Sequence, residues 1–170
     1  MTDRTVLCLP HRPRRYRYWL ELRLAGRGPR LAVILKNPST ATAEKSDPTV
    51  GKVSAWAWRS GFGSLLIVNL FALRATHPAA LNAVSPACCV GPKNDEYLCA
   101  AARWADMLVA AWGNPNGITP ERYMRRLRQV NALLRGQVLW RVGPLTALGQ
   151  PRHGLWWNAE MALAPYEFSG

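Results

Sequence analysis

The residues equipped for chemistry in this chain each follow a short apolar run. Asn37-Pro38-Ser39 comes after Leu31 to Leu35, and Asn69-Leu70-Phe71 after Leu65 to Val68. Gly113-Asn114 comes after Met107 to Trp112, and Arg152-His153 after Val138 to Val142. An Asn amide carries both a donor and an acceptor, and a His ring can donate, accept or take a proton near neutral pH. Asp47 adds a carboxylate near the first of these loops. It has two readings: a water-activating group, or the N-cap of a helix whose first residue is Pro48, and the cap is preferred because Asp-Pro is self-sufficient there. The four cysteines, Cys8, Cys88, Cys89 and Cys99, have no C-x2-C spacing, so no metal is expected and they read as reduced, mostly buried thiols. With no glycine-rich phosphate loop either, no cofactor is expected.

The elements that must position these residues alternate between two periods. Tyr16, Tyr18, Leu20, Leu22 and Leu24 share one face of a half-exposed strand, and the run Leu31 to Leu35 fits a strand buried on both faces. A helix follows from Asp47 as cap to Gly61 as stop, and then a second buried strand, Leu65 to Val68. Tyr97, Ala101 and Trp104 have helical spacing ahead of a third strand, Met107 to Trp112. Tyr123, Leu127, Val130 and Leu134 form the apolar stripe of a helix that starts at Thr119-Pro120 and ends before Gly136, and Val138 to Val142 is the fourth strand. This alternation predicts an α/β fold of three layers, α/β/α, with a central, mostly parallel four-stranded sheet and an N-terminal edge strand. In such sheets the functional crevice lies beyond the carboxyl ends of the strands, where the four polar loops fall.

The chain has 170 residues, the size of one domain, and 49% are apolar, enough for a core. Residues 1–15 read as a basic, partly flexible arm. No apolar run approaches a membrane span and the N-terminus has no apolar signal region, so no membrane association and a cytoplasmic location are expected. The net charge is +12. Residues 1–30 hold eight Arg against Asp3 and Glu21, and residues 121–141 hold six Arg against Glu121, so nearly all of the excess lies in two stretches. Clustered arginine is the electrostatic footprint of a polyanion, most often nucleic acid; the plainer reading is a solvated, arginine-rich surface.

These motifs in this order resemble the uracil-DNA glycosylase superfamily. The resemblance runs over about residues 31–157: a buried strand followed by Asn-Pro-Ser, a second ending in Leu-Ile-Val-Asn, a third ending in Ala-Trp-Gly, and a late His in a Pro-Arg-His loop. It is nearest to the mismatch-specific and thymine-DNA glycosylase branch, which also has Asn-Pro in its first motif. The chain is also similar to a bacterial family of unknown function that carries Asn-Pro-Ser-Thr-Ala, Asp-Pro-Thr and Val-Asn-Leu-Phe-Ala.

The resemblance implies a metal-free, monofunctional DNA glycosylase, a monomer on double-stranded DNA, that flips a modified or mispaired pyrimidine out of the duplex and hydrolyses its glycosidic bond. Asn37 would hold the water, with Asp47 as the alternative, and His153 would donate to the departing base. Asn69 would read the Watson–Crick edge, and Phe71 would stack on the base or serve as core. Pro38 and Ser39 would border its 5-position. Ser39 stands where the uracil-specific branch has a bulky Tyr, leaving room for a large 5-substituent such as a glucosylated hydroxymethylcytosine of phage DNA. Leu155 and Trp156 would wedge into the gap left by the base, while Arg152, Arg125 and Arg126 would meet phosphates. Gly154 departs from the family, which has Pro after the His. No lysine occupies a motif position except Lys36, which lies inside the strand end, so a lysine-linked lyase step is not expected. The reading from another class is a non-catalytic nucleic-acid-binding module on the same fold; a hydrolase of free nucleotides is a third.

Overall fold

The structure, a computed structural model, describes residues 4–10, 15–39 and 47–168. Its strands are β1 (Arg4–Leu9), β2 (Trp19–Arg23), β3 (Arg30–Leu35), β4 (Ser64–Asn69), β5 (Met107–Ala110), β6 (Leu139–Val142) and β7 (Leu163–Pro165). Its helices are α1 (Pro48–Arg59), α2 (Pro86–Val90), α3 (Asn94–Trp104) and α4 (Pro120–Leu133), with 3-10 turns at Pro78–Ala83 and Gly154–Trp156.

One mixed sheet runs β1-β2-β4-β3-β5-β6-β7. The pairs β3–β4, β3–β5 and β5–β6 are parallel, and β1–β2, β2–β4 and β6–β7 are antiparallel. The continuous apolar run of β3 is explained by two cores. Leu31, Val33 and Leu35 point to the core shared with Val53, Trp56 and Ala57 of α1. Ala32 and Ile34 point to the other, shared with Leu98 of α3 and Tyr123, Leu127 and Val130 of α4. Residues 31–35 are thus all apolar because each face is covered by helix.

The α/β class holds, but the sheet has seven strands where four and an edge strand were expected. The segment expected at the edge is shorter and interior: β2 lies between β4 and β1. Arg4–Leu9, expected in a flexible arm, is paired along it, with Cys8 opposite Leu20 and Leu9 opposite Trp19. Residues 1–3 and 11–14 of that arm lie outside the described residues. Among the cysteines only Cys89 is buried; Cys8, Cys88 and Cys99 are half-buried, so the expectation of mostly buried thiols is corrected. No helix among the described residues is long and apolar enough to cross a membrane.

Candidate functional site

At the carboxyl ends of β3 to β6 the chain leaves the sheet in loops whose polar side chains line two adjoining cavities. The first, of about 270 Å3, is walled by Arg17, Lys36, Asn37, Ser39, Asp47, Thr49, Asn116 and His153, with Leu155 and Trp156 at its side. The second, of about 430 Å3, is walled by Gly113, Asn114, Thr146 and Arg152 and shares Asn116, His153 and Trp156 with the first.

Asn37 lies two residues beyond the end of β3, next to Lys36. Its Nδ2 donates to the carbonyls of Ala75 at 2.8 Å and Pro38 at 3.2 Å. Two carbonyl acceptors fix the amide's orientation, so Oδ1 is the atom left uncommitted, an acceptor with no donor among the described residues. Pro38 is buried, and its carbonyl also receives the Ala75 N–H at 3.0 Å.

Asp47 caps α1. One carboxylate oxygen accepts the Thr49 N–H at 2.9 Å and the other accepts the Ser39 hydroxyl at 2.6 Å. Both oxygens are therefore occupied, and the side chain ties the Ser39 loop to the start of α1.

His153 sits on a loop pinned to the end of β5. The Gly113 N–H donates to Pro151 O at 3.0 Å, and the buried Trp112 Nε1 donates to Gln150 Oε1 at 3.0 Å. Gly113 has φ +67°, and a β-carbon there would fall 2.8 Å from the His153 Cβ, so glycine is what admits the loop. On the other side a β-carbon at Gly154 would lie 2.5 Å from Val53 Cγ2 of α1. The glycine that replaces the expected Pro thus lets the histidine loop lie on α1. His153 Nδ1 accepts the Leu155 N–H at 3.2 Å, which leaves the ring proton on Nε2. Burial first, and then the charge of Lys36, push its pKa down to about 4, against a smaller opposing pull from Asp47. The ring is neutral at pH 7 and is a hydrogen-bond donor without positive charge.

Two buried cations complete the wall. Arg17 is 4% exposed and Lys36 2%. Burial, and next Arg74, lower the Arg17 pKa to about 10; burial alone lowers that of Lys36 to about 8. Among the described residues Arg17 Nε has no hydrogen-bond partner. Among the described residues Asp47 is the one acidic side chain of this wall. The cavity is therefore cationic, with a neutral donor and a free amide oxygen beside it. Among the described residues no group of three His, Cys, Asp or Glu could hold a metal ion.

A family model described as "Protein of unknown function (DUF1643)" matches residues 17–155. The chain belongs to that family. The matched span includes Asn37-Pro38-Ser39, Asp47-Pro48-Thr49 and Val68 to Ala72, and it leaves out β1 and β7. No curated protein and no solved structure matches the chain.

The structure of this DUF1643 protein brings Asn37, Ser39, Asp47, His153, Leu155 and Trp156 to one cavity and Arg152 to the next. Trp156 is 65% exposed, whereas Trp157 is buried with its ring 5.0 Å from that of Trp56. Asn69 is fully buried and is not part of that wall; its register partner Leu35 is. Neither amide atom of Asn69 has a hydrogen-bond partner among the described residues.

Three residues lie elsewhere. Phe71 and Arg125 line a separate groove, of about 280 Å3, against α4, because the chain turns after β4 and Phe71 enters the α3–α4 core. Arg126, expected on phosphates, is 2% exposed; its Nε donates to Leu70 O at 2.7 Å and its Nη2 pairs with Asp95 at 2.6 Å. It is a structural cation, as is Arg122, whose Nη1 donates to the carbonyls of Leu81 and Val84, both at 2.8 Å. The basic stretch 121–141 is thus only partly available to a polyanion.

Arg17 and Lys36 were missed as site residues. Arg17 falls on the outward face of the period-two reading of 16–24, but the regular strand begins only at Trp19. For Lys36 there was a signal: a single cation closing an otherwise apolar strand.

Proposed function

We propose that this protein is a DNA glycosylase that extrudes a modified pyrimidine into the cavity between Asn37 and His153 and hydrolyses its glycosidic bond, leaving an abasic site. The observation that carries the reading is the complementary state of those two side chains on one wall. Asn37, its Nδ2 held by two carbonyls, presents Oδ1 to a water. His153, neutral and with its proton on Nε2, offers a donor to the oxygen of the departing base as negative charge develops there. An amide is no strong base, so the site works by positioning and electrostatics and turns over slowly. The carboxylate of Asp47 orients Ser39 and the start of α1 instead of taking a proton from the water.

Trp156, exposed beside the cavity, suits the space a flipped base vacates. Arg152 supports a phosphate contact on the same loop, and Ser39 leaves the side of the cavity it borders without a bulky side chain. A large 5-substituent, as in glucosylated hydroxymethylcytosine of phage DNA, is the substrate this opening suits.

The test is a panel of duplexes with single modified pyrimidines, incubated with the purified protein and scored for abasic sites. Base release from at least one duplex, lost in Asn37→Ala, is the expected result. Salt-dependent binding with no abasic site on any duplex would replace enzyme by nucleic-acid-binding module.

A further inference from the structure

Lys36 has the properties of a reactive amine more than those of a structural cation. The chain has only four lysines, Lys36, Lys45, Lys52 and Lys93, and uses arginine for every other cationic side chain apart from histidine. At the end of β3 it places a lysine, 2% exposed, whose side chain forms part of the cavity wall. Its ammonium has no hydrogen-bond acceptor among the described residues. The acidic side chain of the same wall, Asp47, has both oxygens bound to Thr49 and Ser39. With the side chain buried and no counter-ion or acceptor for the ammonium among the described residues, the neutral amine is favoured. Burial holds the Lys36 pKa to about 8, so near that pH about half of it is an unprotonated nucleophile.

We propose that Lys36 forms a Schiff base with the C1′ aldehyde of an abasic deoxyribose held in the cavity beside Asn37 and His153. The neutral Nζ adds to C1′ of the open-chain sugar, forming a C–N bond, and the carbonyl oxygen becomes the hydroxyl of a carbinolamine. Loss of that hydroxyl with a proton from nitrogen, as one water, gives the imine; no oxidant or reductant is consumed. His153 Nε2–H is the donor on the same wall that stabilises the oxygen during addition and departure. The abasic aldehyde as the carbonyl rests on the glycosylase reading, whereas the placement of the amine does not. The reason for expecting no lysine chemistry, that Lys36 lies inside the strand, gives way to its place on the cavity wall.

The experiment uses the full chain and a duplex that already carries one abasic site, so base excision is not required. Sodium cyanoborohydride is added, and the reduced adduct is read on a denaturing gel and mapped by peptide mass spectrometry. A covalent adduct at Lys36 is expected. It should fall by roughly tenfold or more in both Lys36→Met and Lys36→Arg, since a guanidinium keeps the charge and cannot serve as the amine. Thermal melting of both variants checks the fold, and mapping in the unmodified protein needs neither of them.

No adduct, an adduct on Lys45, Lys52, Lys93 or the terminal amine, or one undiminished in Lys36→Met, would overturn the inference. So would full retention in Lys36→Arg, which assigns Lys36 to holding an anion. An adduct at Lys36 without abasic-site release from any modified duplex would leave the inference standing and remove the excision reading. Release without an adduct does the reverse.

Discussion

Gly113 and His153 are packed so closely that any side chain on the glycine would collide with the histidine: a β-carbon at 113 would lie 2.8 Å from His153 Cβ and 3.4 Å from its backbone nitrogen. The end of β5 thereby sets the position of a residue from the far side of β6. Gly113→Ala carries two penalties, the φ of +67° and that contact. Left-handed backbone alone costs about 1–2 kcal/mol for a residue with a β-carbon. The expected outcome is a melting midpoint lowered by several degrees and base release lowered further than stability, because the loop that carries His153 must move. Activity retained at reduced stability would separate His153 from the reaction.

The neutral state of His153 sets a pH dependence. Its folded pKa of about 4 lies below the ordinary 6.5. Between these values the unfolded chain binds a proton that the folded chain does not, so stability rises with pH across that window and is lost as pH falls through it. The loss is on the order of 2–3 kcal/mol at its fullest. Urea titrations at pH 4.5 and 7 should show it, and His153→Gln should flatten it. Base release, if the neutral ring is the donor, should have no limb near pH 6.5.

Much of this arrangement is legible in the sequence where local pattern decides. The Asp47-Pro48 start of α1, the apolar run of β3 and the stripe of α4 depend on neighbours along the chain, and each element lies within a few residues of its expected span. What is not legible depends on partners far away. β1 lies in a stretch whose charge reads as a basic arm, and it forms because β2 offers it an edge. β7, three residues long, exists only through its pairing with β6. Phe71 follows Asn69 by two positions, yet the turn after β4 sends it to the α3–α4 core. Arg126 carries the same charge as its neighbour Arg125, and only the fold decides which is buried on a carbonyl.

That last contrast is testable with stability and binding measured together. Arg126→Met removes the buried bond to Leu70 O and the pair with Asp95, and it should cost about 1–3 kcal/mol with no specific change in DNA affinity. Arg125→Ala should leave stability unchanged. Arg152→Ala should lower the dependence of DNA affinity on salt by about one phosphate contact, a log–log slope smaller by about 0.9. A larger effect from Arg125→Ala than from Arg152→Ala would put the DNA on the α4 groove.

Asn37→Ala and Asn37→Asp separate two roles of one amide. Both remove the donor to the Ala75 and Pro38 carbonyls, a loss of roughly 1–2 kcal/mol. Asp keeps an oxygen near the Oδ1 position and adds a charge able to act as a base. Base release should therefore be abolished in Asn37→Ala and retained, or raised, in Asn37→Asp, although the carboxylate facing the Ala75 and Pro38 carbonyls makes the second variant the less stable. Equal activity in all three proteins would confine Asn37 to holding the loop.

On the proposed reading, Ser39 borders the space that a base substituent would enter. Its hydroxyl donates to Asp47 at 2.6 Å and its side chain forms part of the wall, so substitution changes volume and one hydrogen bond together. Ser39→Ala isolates the hydrogen bond: stability should drop by about 1 kcal/mol, with activity lowered alike on every base. Ser39→Tyr adds a ring where a 5-substituent would lie. A steric clash is not limited to the roughly 1–3 kcal/mol of a missing methylene, so the preference between bulky and small bases should shift toward the small by well over about tenfold. If Ser39→Tyr instead lowers every base equally, as Ser39→Ala does, the residue acts through Asp47 and the start of α1, and a bulky modified pyrimidine loses its support in this structure.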